Sequence, residues 1–429
     1  MVAACDWRHL TTDNQPPVSK RRVLWSLNAS SFSWSIGLGA ALPMIPVLAY
    51  TLEKNLALAG VAVAVAGAGR FVVSYATGTM LDKFGRKKVA IVGGSIRTIF
   101  SFAEGFSPTY LALVGFSFMS GIGTAIWMTG SATITADIAS SRDRGSIIGG
   151  RQGFANLGQI LGPIVGTAAW AATGDIRVPF IINGFSKLIC VLIFTFLLPE
   201  TRRPARTPAA APATSAEPAV SSAPEPQQRG SAPRAASLIP AYAILFALFG
   251  MFVNNTFTAA LSHTLLPLYL ENQLLLAKVE WGIVISAISV GSLLLSVPAG
   301  KAVDRWNVGA AVVPGALVIG GSLLYFTAVS TPSISTMIGI GAGLGAGLSM
   351  LRVGTMAFAI DIAPPDARGR FFGKTHAAGN IGTLIGPLVV GAAAAGTGYG
   401  SAFLLLAGVF FAMVPIGLLM VRSTRSIVR

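Results

Sequence analysis

The sequence predicts an all-α membrane protein in which twelve transmembrane helices form two pseudo-symmetric six-helix bundles. Three observations predict it. Of 429 residues, 53% are hydrophobic and 11% charged, and the mean hydropathy is +0.69, well above that of a water-soluble chain. The apolar residues gather into twelve segments, each long enough to supply the roughly 20 residues that cross a hydrocarbon core. A polar and glycine pattern then recurs in the second half at a constant offset.

Taken in order, the first segment (23–50) follows Lys20, Arg21 and Arg22 directly. Nothing in residues 1–22 resembles the apolar core of a cleaved leader, so the segment reads as an uncleaved first helix behind a cytoplasmic tail. Segments at 57–80, 89–106, 109–136, 146–172 and 178–198 complete a first bundle spanning 23–200. Residues 201–237 are rich in Pro, Ala, Ser and Arg and have too little apolar surface to fold, so a disordered cytoplasmic linker is expected. Segments at 238–270, 281–300, 308–330, 333–360, 371–396 and 399–421 make the second bundle (238–421), which leaves a short cytoplasmic tail at 422–429.

The charges mark topology. The first, third and fifth connections of each half hold only Lys54, Arg177 and Lys278 among basic residues. The other side holds Lys83, Arg86, Lys87, Lys88, Arg142, Arg144, Arg202, Arg203, Lys301, Arg305, Arg368 and Arg370, which places both termini and the linker in the cytoplasm of a plasma membrane. The net charge of +15 therefore serves orientation, and no nucleic-acid partner is expected. Cys5 and Cys190 make no disulfide framework. No G-x-x-x-x-G-K-S/T phosphate loop and no His/Cys ligand set occurs, so enzymatic chemistry, a cofactor and a metal are all unexpected.

The repeat is specific. Asp137-Ile138-Ala139, Arg144-Gly145, Gly149, Asn156, Gly158 and Gly162-Pro163 recur at +224 as Asp361-Ile362-Ala363, Arg368-Gly369, Gly373, Asn380, Gly382 and Gly386-Pro387. Gly78 with Asp82-Lys83 recurs at +222 as Gly300 with Asp304-Arg305. Two like-oriented copies give a pseudo-two-fold axis along the membrane normal and a cavity at their interface.

Between the second and third helices stands Gly78-Thr79-Met80-Leu81-Asp82-Lys83-Phe84-Gly85-Arg86-Lys87-Lys88. This resembles the signature loop of the major facilitator superfamily, G-x-x-x-D-R/K-x-G-R-K/R. Gly78 permits close helix approach, Asp82 can accept from free N–H groups at a helix N-terminus, and Arg86 can reach a carboxylate. The resemblance implies a breakable latch: Asp82 against the start of the eleventh helix (Arg370 to Gly373) and Arg86 against Asp137, with Lys83 and Gly85 completing the loop. In the second copy Asp304 and Arg305 remain but Asn307 and Val308 replace Gly and Arg, so an asymmetric latch is expected, with Asp361 pairing locally with Arg368.

The fifth helix carries Gly149, Gly158, Gly162-Pro163 and Gly166, which looks like the antiporter signature of drug/proton antiporters in that superfamily, with Thr167 in place of the final Gly. Small residues at this spacing also give a smooth packing groove bent at Pro163, and the structural hinge is the reading the residues favour. The ending Pro199-Glu200-Thr201-Arg202 is another feature shared with that group.

Ionisable residues at membrane depth are the first site candidates. At about 1.5 Å per residue, Arg70, Arg97 and Arg352 lie roughly 13–18 Å inside the nearest cytoplasmic helix end, and Lys187 is similarly central. No acid is expected as deep: Glu104 falls near an outer loop, and the usual buried carboxylate of a cation exporter is missing. Arg70 and Arg352 therefore favour organic anions or neutral amphiphiles. Asn254 and Asn255 mark a polar step in the seventh helix where it can unwind or bind substrate, or equally hydrogen-bond to a neighbouring helix, and Trp127, with Met128 and Trp34, offers aromatic and flexible lining. The expected function is alternating-access, proton-coupled efflux of small amphiphilic compounds. Uptake or facilitated transport of a small organic anion or nutrient is the alternative, and a non-transporting sensor on a carrier scaffold is a third. The expected partners are a small-molecule substrate, the lipid bilayer and protons, with the chain acting as a monomer.

Overall fold

The computed structural model describes residues 20–138, 144–198, 241–328, 333–363 and 368–428. The N-terminal tail, the expected linker and the ending Pro199-Glu200-Thr201-Arg202 lie outside the described residues. So do the side chains of Gly78, Asp82, Asp137, Arg144, Arg368, Arg370 and Gly373.

The described residues form twelve helical spans. Span 1 is Lys20–Ala41 continued by Met44–Glu53, and spans 2 to 6 are Leu56–Phe84, Arg86–Gly105, Tyr110–Ile138, Arg144–Thr173 and Arg177–Leu197. Span 7 runs Ala241–Phe257, then through π-helical turns at Thr258–Leu265 and Tyr269–Gln273. Spans 8 to 12 are Lys278–Arg305, Gly309–Ala328, Ile334–Ile362, Arg368–Thr397 and Tyr399–Val428. The break in span 1 falls at Pro43, which has no N–H to continue the ladder.

Ten of these spans contain a window long and apolar enough to cross a membrane. Spans 3 and 5 are the two that do not. Span 3 carries Arg86, Lys87, Lys88, Arg97 and Glu104, and span 5 carries Arg151, Gln152, Asn156 and Gln159. Arg97 and Glu104 of span 3 are buried among the helices, and Arg151, Gln152 and Gln159 of span 5 face the cavity described below.

Internal symmetry extends beyond the motifs. Spans 5 and 11 both stop at a left-handed glycine, Gly174 (φ +70°) and Gly398 (φ +89°), again 224 residues apart. Among the described residues, the two non-glycine residues with positive φ, Lys54 and Leu275, each follow the first span of their half. Packing repeats likewise: span 1 lies on 5 and 6 as span 7 lies on 11 and 12, and span 4 lies on 2 and 3 as span 10 lies on 8 and 9. Two further contacts join the halves, span 2 with 11 and span 5 with 8.

Glycines set those joints. Gly60 meets the carbonyl of Pro387, and a methyl group added at Gly391 would stand 3.0 Å from the Leu56 carbonyl oxygen. One added at Gly282 would stand 3.0 Å from the Pro163 carbonyl oxygen. All lie in the half of the molecule away from the basic connections. There a continuous apolar core also joins Met44, Ile45 and Leu48 of span 1 to Leu265, Leu266 and Leu268 of span 7. Trp170 meets Trp281 edge-on at 6.2 Å, and Lys278 Nζ stands 4.0 Å from the centre of the Trp170 ring.

Candidate functional site

On the side of the basic connections, spans 1, 4 and 5 of the first bundle enclose a cavity of about 530 Å³. Its walls alternate aromatic and hydroxyl groups because helical turns bring Ser30, Ser31, Trp34 and Ser35 to one face of span 1 and Trp127, Met128, Ser131 and Thr135 to one face of span 4. Span 5 adds Arg151, Gln152 and Gln159. Trp34 and Trp127 stack at 5.1 Å with ring planes 4° apart, and Trp127 leans on Phe194 at 4.3 Å. Trp127 is thus a wall residue held by aromatic packing. Met128 beside it is 55% exposed and free to adapt to a guest.

Arg151 was not among the residues that the sequence singled out. It ties the three spans together: Nε donates to Ser31 Oγ at 2.8 Å and Nη1 to the Ser131 carbonyl at 2.9 Å, and it also bonds Thr135 Oγ1 and Ser131 Oγ. The signal was present, since Arg151 lies seven residues, two helical turns, inside Arg144 and on the same face. Its counterpart at +224 is Thr375, so the anchor belongs to the first bundle alone.

Arg352 occupies the facing bundle. On span 10, Gly345 packs on Ile288 of span 8, Thr355 on Gly250 of span 7, and Gly347 and Gly354 on span 9. At 100° per residue Arg352 falls on the arc between the faces touching spans 7 and 8, opposite span 9, and it is exposed there. Its counterpart at −224 is Met128, which lines the cavity, so the two halves present an arginine and a methionine at equivalent positions.

Arg70 is partly buried on span 2 and lies within electrostatic reach of Arg97 on span 3 and of His263 on the π-helical stretch of span 7, across the bundle interface. Asn254 is buried with its Oδ1 unpartnered, whereas Asn255 donates to its own helix at the Met251 carbonyl (3.0 Å) and packs on Gly379. Span 7 does not unwind at these asparagines. It instead widens into π turns three residues later, so the expected local unwinding is corrected to a change of helical register.

Glu104 keeps the outer position expected of it on span 3, but it is buried within the bundle and not at a loop surface. Glu104 is fully buried one residue before span 3 ends, and it pairs with Arg97 Nη1 at 3.3 Å. Sequence position suggested a loop-side acid, but the partner one heptad earlier on the same helix draws it inside. Arg97 is therefore compensated.

Of the latch residues, Gly85 is explained by its backbone, φ +94° and ψ 145°, a conformation open to glycine that lets span 3 start directly after span 2. Lys83 lies over Phe84 at 5.5 Å, Arg86 is partly buried, and Lys87 Nζ donates to the Thr195 carbonyl at 2.9 Å, gripping the end of span 6. Gly78 sits in span 2; the side-chain roles expected of Asp82 and Asp137, and the Asp361 pairing with Arg368, lie outside the described residues. Asp304, Arg305 and Asp361 are exposed, and among the described residues none of them makes an ion pair. In the second copy Asn307 Oδ1 caps span 9 at Ala310 N (3.2 Å), replacing the glycine turn by a side-chain cap.

The glycines of span 5 divide. Gly158 and Gly162 abut Phe32, Ile36 and Gly39 of span 1, with Pro163 beside them against Gly39, while Gly149 has open space around it. Span 5 runs through Pro163 as one helix. Gly382 and Gly386 repeat this seat against span 7, so three of the four motif residues serve close helix packing.

The family model of the Major Facilitator Superfamily matches residues 26–263 and 247–427. Multidrug resistance protein 1 of Bacillus subtilis is 26% identical over 184 residues, covering 43% of this chain and 47% of that protein. The quinolone resistance protein NorA of Staphylococcus aureus is 24% identical over 168 residues (39% of this chain, 43% of that protein). The multidrug transporter AQR1 of Candida glabrata is 34% identical over 131 residues (30% and 21%). The matched stretch spans less than half the length of these relatives. Among solved structures, a nucleoside transporter, NupG, aligns with TM-score 0.71 and 14% identity over 93% of this chain and 99% of its own. A bacterial homologue of the lysosomal transporter Spinster, inward-facing and unoccupied, aligns at 0.66 with 14% identity over 94% and 96%. At such identity these show the fold.

Proposed function

Because the chain belongs to the Major Facilitator Superfamily, a family of multi-pass membrane transporters, we propose that it is a plasma-membrane exporter that moves small amphiphilic compounds by alternating access, driven by inward proton flow. The observation that carries this reading is the asymmetry of the two faces. Glycine-tight joints and the apolar core close the side away from the basic connections, while the Trp34–Trp127 cavity lies on the basic side. With the basic side cytoplasmic, this is the conformation that loads cargo from inside the cell.

The cavity chemistry supports a guest with an apolar body and hydrogen-bonding edges: the rims of the indoles and the exposed Met128 for the body, Ser30, Ser31, Ser35 and the glutamines for the edges. The relatives named for multidrug and quinolone resistance support efflux. Arg352 on the facing bundle favours guests that are neutral or anionic over cations, and it is the observation that favours the second reading, facilitated movement of an organic anion.

Everted vesicles carrying a pH-sensitive dye separate these. Chloramphenicol (neutral) and fluorescein (anionic) are expected to release stored protons, tetraphenylphosphonium (cationic) is not, and Arg352→Ala is expected to lose the fluorescein response selectively. Fluorescein equilibration without proton release would instead establish the facilitator.

A further inference from the structure

Behind the cavity wall the first bundle holds a buried polar cluster that substrate binding does not use. Lys187 lies ten residues from either end of span 6, about 15 Å from each face, and is fully buried. Its Nζ donates to the Trp34 carbonyl and stands 4.3 Å from the centre of the Trp34 ring. Trp34 is also the residue that stacks on Trp127 in the cavity wall. The lysine is therefore coupled through one side chain to the place where a guest binds.

Charge counting gives the cluster its chemistry. Lys187 is faced by Arg97 and Glu104 of span 3 and by Cys190 of its own span, and Cys190 in turn by Arg151 of span 5. Span 1 offers the Trp34 carbonyl and ring, and span 4 the Ser120 hydroxyl to Glu104. Among the described residues, no carboxylate oxygen lies within 4.0 Å of Lys187 Nζ, and the one carboxylate nearby is already held by Arg97 at 3.3 Å. With Glu104 ionised against Arg97, the Arg97–Glu104–Lys187 set is neutral with Lys187 as the amine and carries one uncompensated positive charge with Lys187 as the ammonium. In a low-dielectric interior that single charge is the dominant energy difference between the two forms. Arg97 Nε, Ser117 Oγ and Asn183 Oδ1 are buried without hydrogen-bond partners, and Asn183 Nδ2, one turn from Lys187, donates to Ser101 Oγ of span 3 at 3.2 Å, so unsatisfied polar groups lie on the spans of this bundle.

We propose that Lys187 is the proton-binding group of this transporter, taking one proton onto its amine lone pair from the side away from the basic connections and returning it to water on the basic side. This rests on the reading of proton-driven export. The proton leaves an outer water and forms an N–H bond on Nζ; on release that bond breaks and the proton passes to cavity water. As an ammonium the group is attracted to the Trp34 ring face, and as an amine it loses that attraction. Loading and unloading the proton therefore tightens and loosens Trp34 against its cavity neighbour Trp127.

The test uses the full-length protein in proteoliposomes with chloramphenicol and fluorescein as probes. Uphill accumulation under a pH gradient is compared with gradient-free exchange in wild type, Lys187→Met and Lys187→Arg. Both variants are expected to lose gradient-driven accumulation by about tenfold or more while gradient-free exchange persists. The arginine variant keeps a cation over Trp34, so its rescue of coupling would show a structural role and overturn the proposal, as would a methionine variant that remains coupled. If the methionine variant fails to insert, the arginine variant decides, together with the pH dependence of tryptophan emission, expected in wild type and absent in Lys187→Arg. Gradient-insensitive movement by the wild type itself would instead reject proton-driven export, and this proposal with it, a result distinguishable because it does not involve Lys187.

Discussion

Arg151 shows how much of the cavity depends on one side chain. Its guanidinium spans three helices through Ser31, Ser131 and Thr135, and charge-assisted bonds of this kind are worth about 1.5–3 kcal/mol each. Arg151→Ala is expected to lower the melting temperature of the detergent-purified protein and to weaken every substrate alike. Arg151→Lys should recover little, because an ammonium does not reproduce the planar fork. A variant with wild-type melting that loses only one charge class of substrate would reassign Arg151 from scaffold to ligand contact. Arg97 and Glu104 make a complementary point: removing one partner of a buried pair leaves the other charge stranded, at about 3–5 kcal/mol. Glu104→Gln is thus expected to destabilise more than any exposed acid such as Asp304.

Among the elements, the connection between spans 2 and 3 is the most sharply determined. Gly85 adopts φ +94°, and an alanine there would cost about 1–3 kcal/mol in backbone strain. The equivalent connection in the second half ends span 8 at Trp306 and caps span 9 with Asn307, with no positive φ between them, so Asn307→Ala should cost only a cap, about 0.5–2 kcal/mol. Chemical denaturation of the two variants checks this order.

The same contrast explains what the sequence revealed. The twelve spans and the duplication were legible because hydropathy and offset are local properties. Burial of Glu104, the tie made by Arg151 and the π turns of span 7 were not, because each depends on which faces of distant helices meet. Lys187 was visible as a central cation, but its seat on Trp34 arises from the packing of span 6 on span 1. Arg352 needed the neighbours of span 10 before its arc could be assigned.

At the scale of the whole molecule, the two halves meet through symmetry-related joints, span 2 with 11 and span 5 with 8. Small residues let these joints form closely on one side, and parting them requires the apolar contact between spans 1 and 7 to open as well, as rocking of one bundle against the other would do. The glycines are part of the mechanism in this account: a side chain at Gly282 would strike Thr167 and the Pro163 carbonyl. Gly282→Leu is accordingly expected to favour the conformation open on the side away from the basic connections.

The central claim is that the two faces open alternately, and distance measurement between paired spin labels tests it most directly. In a background with Cys5 and Cys190 replaced, labels at Thr173 and Val279 report the far ends of spans 5 and 8, and labels at Gly150 and Lys301 report their basic-side ends. The account predicts a short far-end and a long basic-side distance without substrate, with both distributions exchanging when the pH on the far side is lowered or when Gly282→Leu is introduced. Distances that stay fixed at both ends under transporting conditions, or that lengthen together, would contradict it.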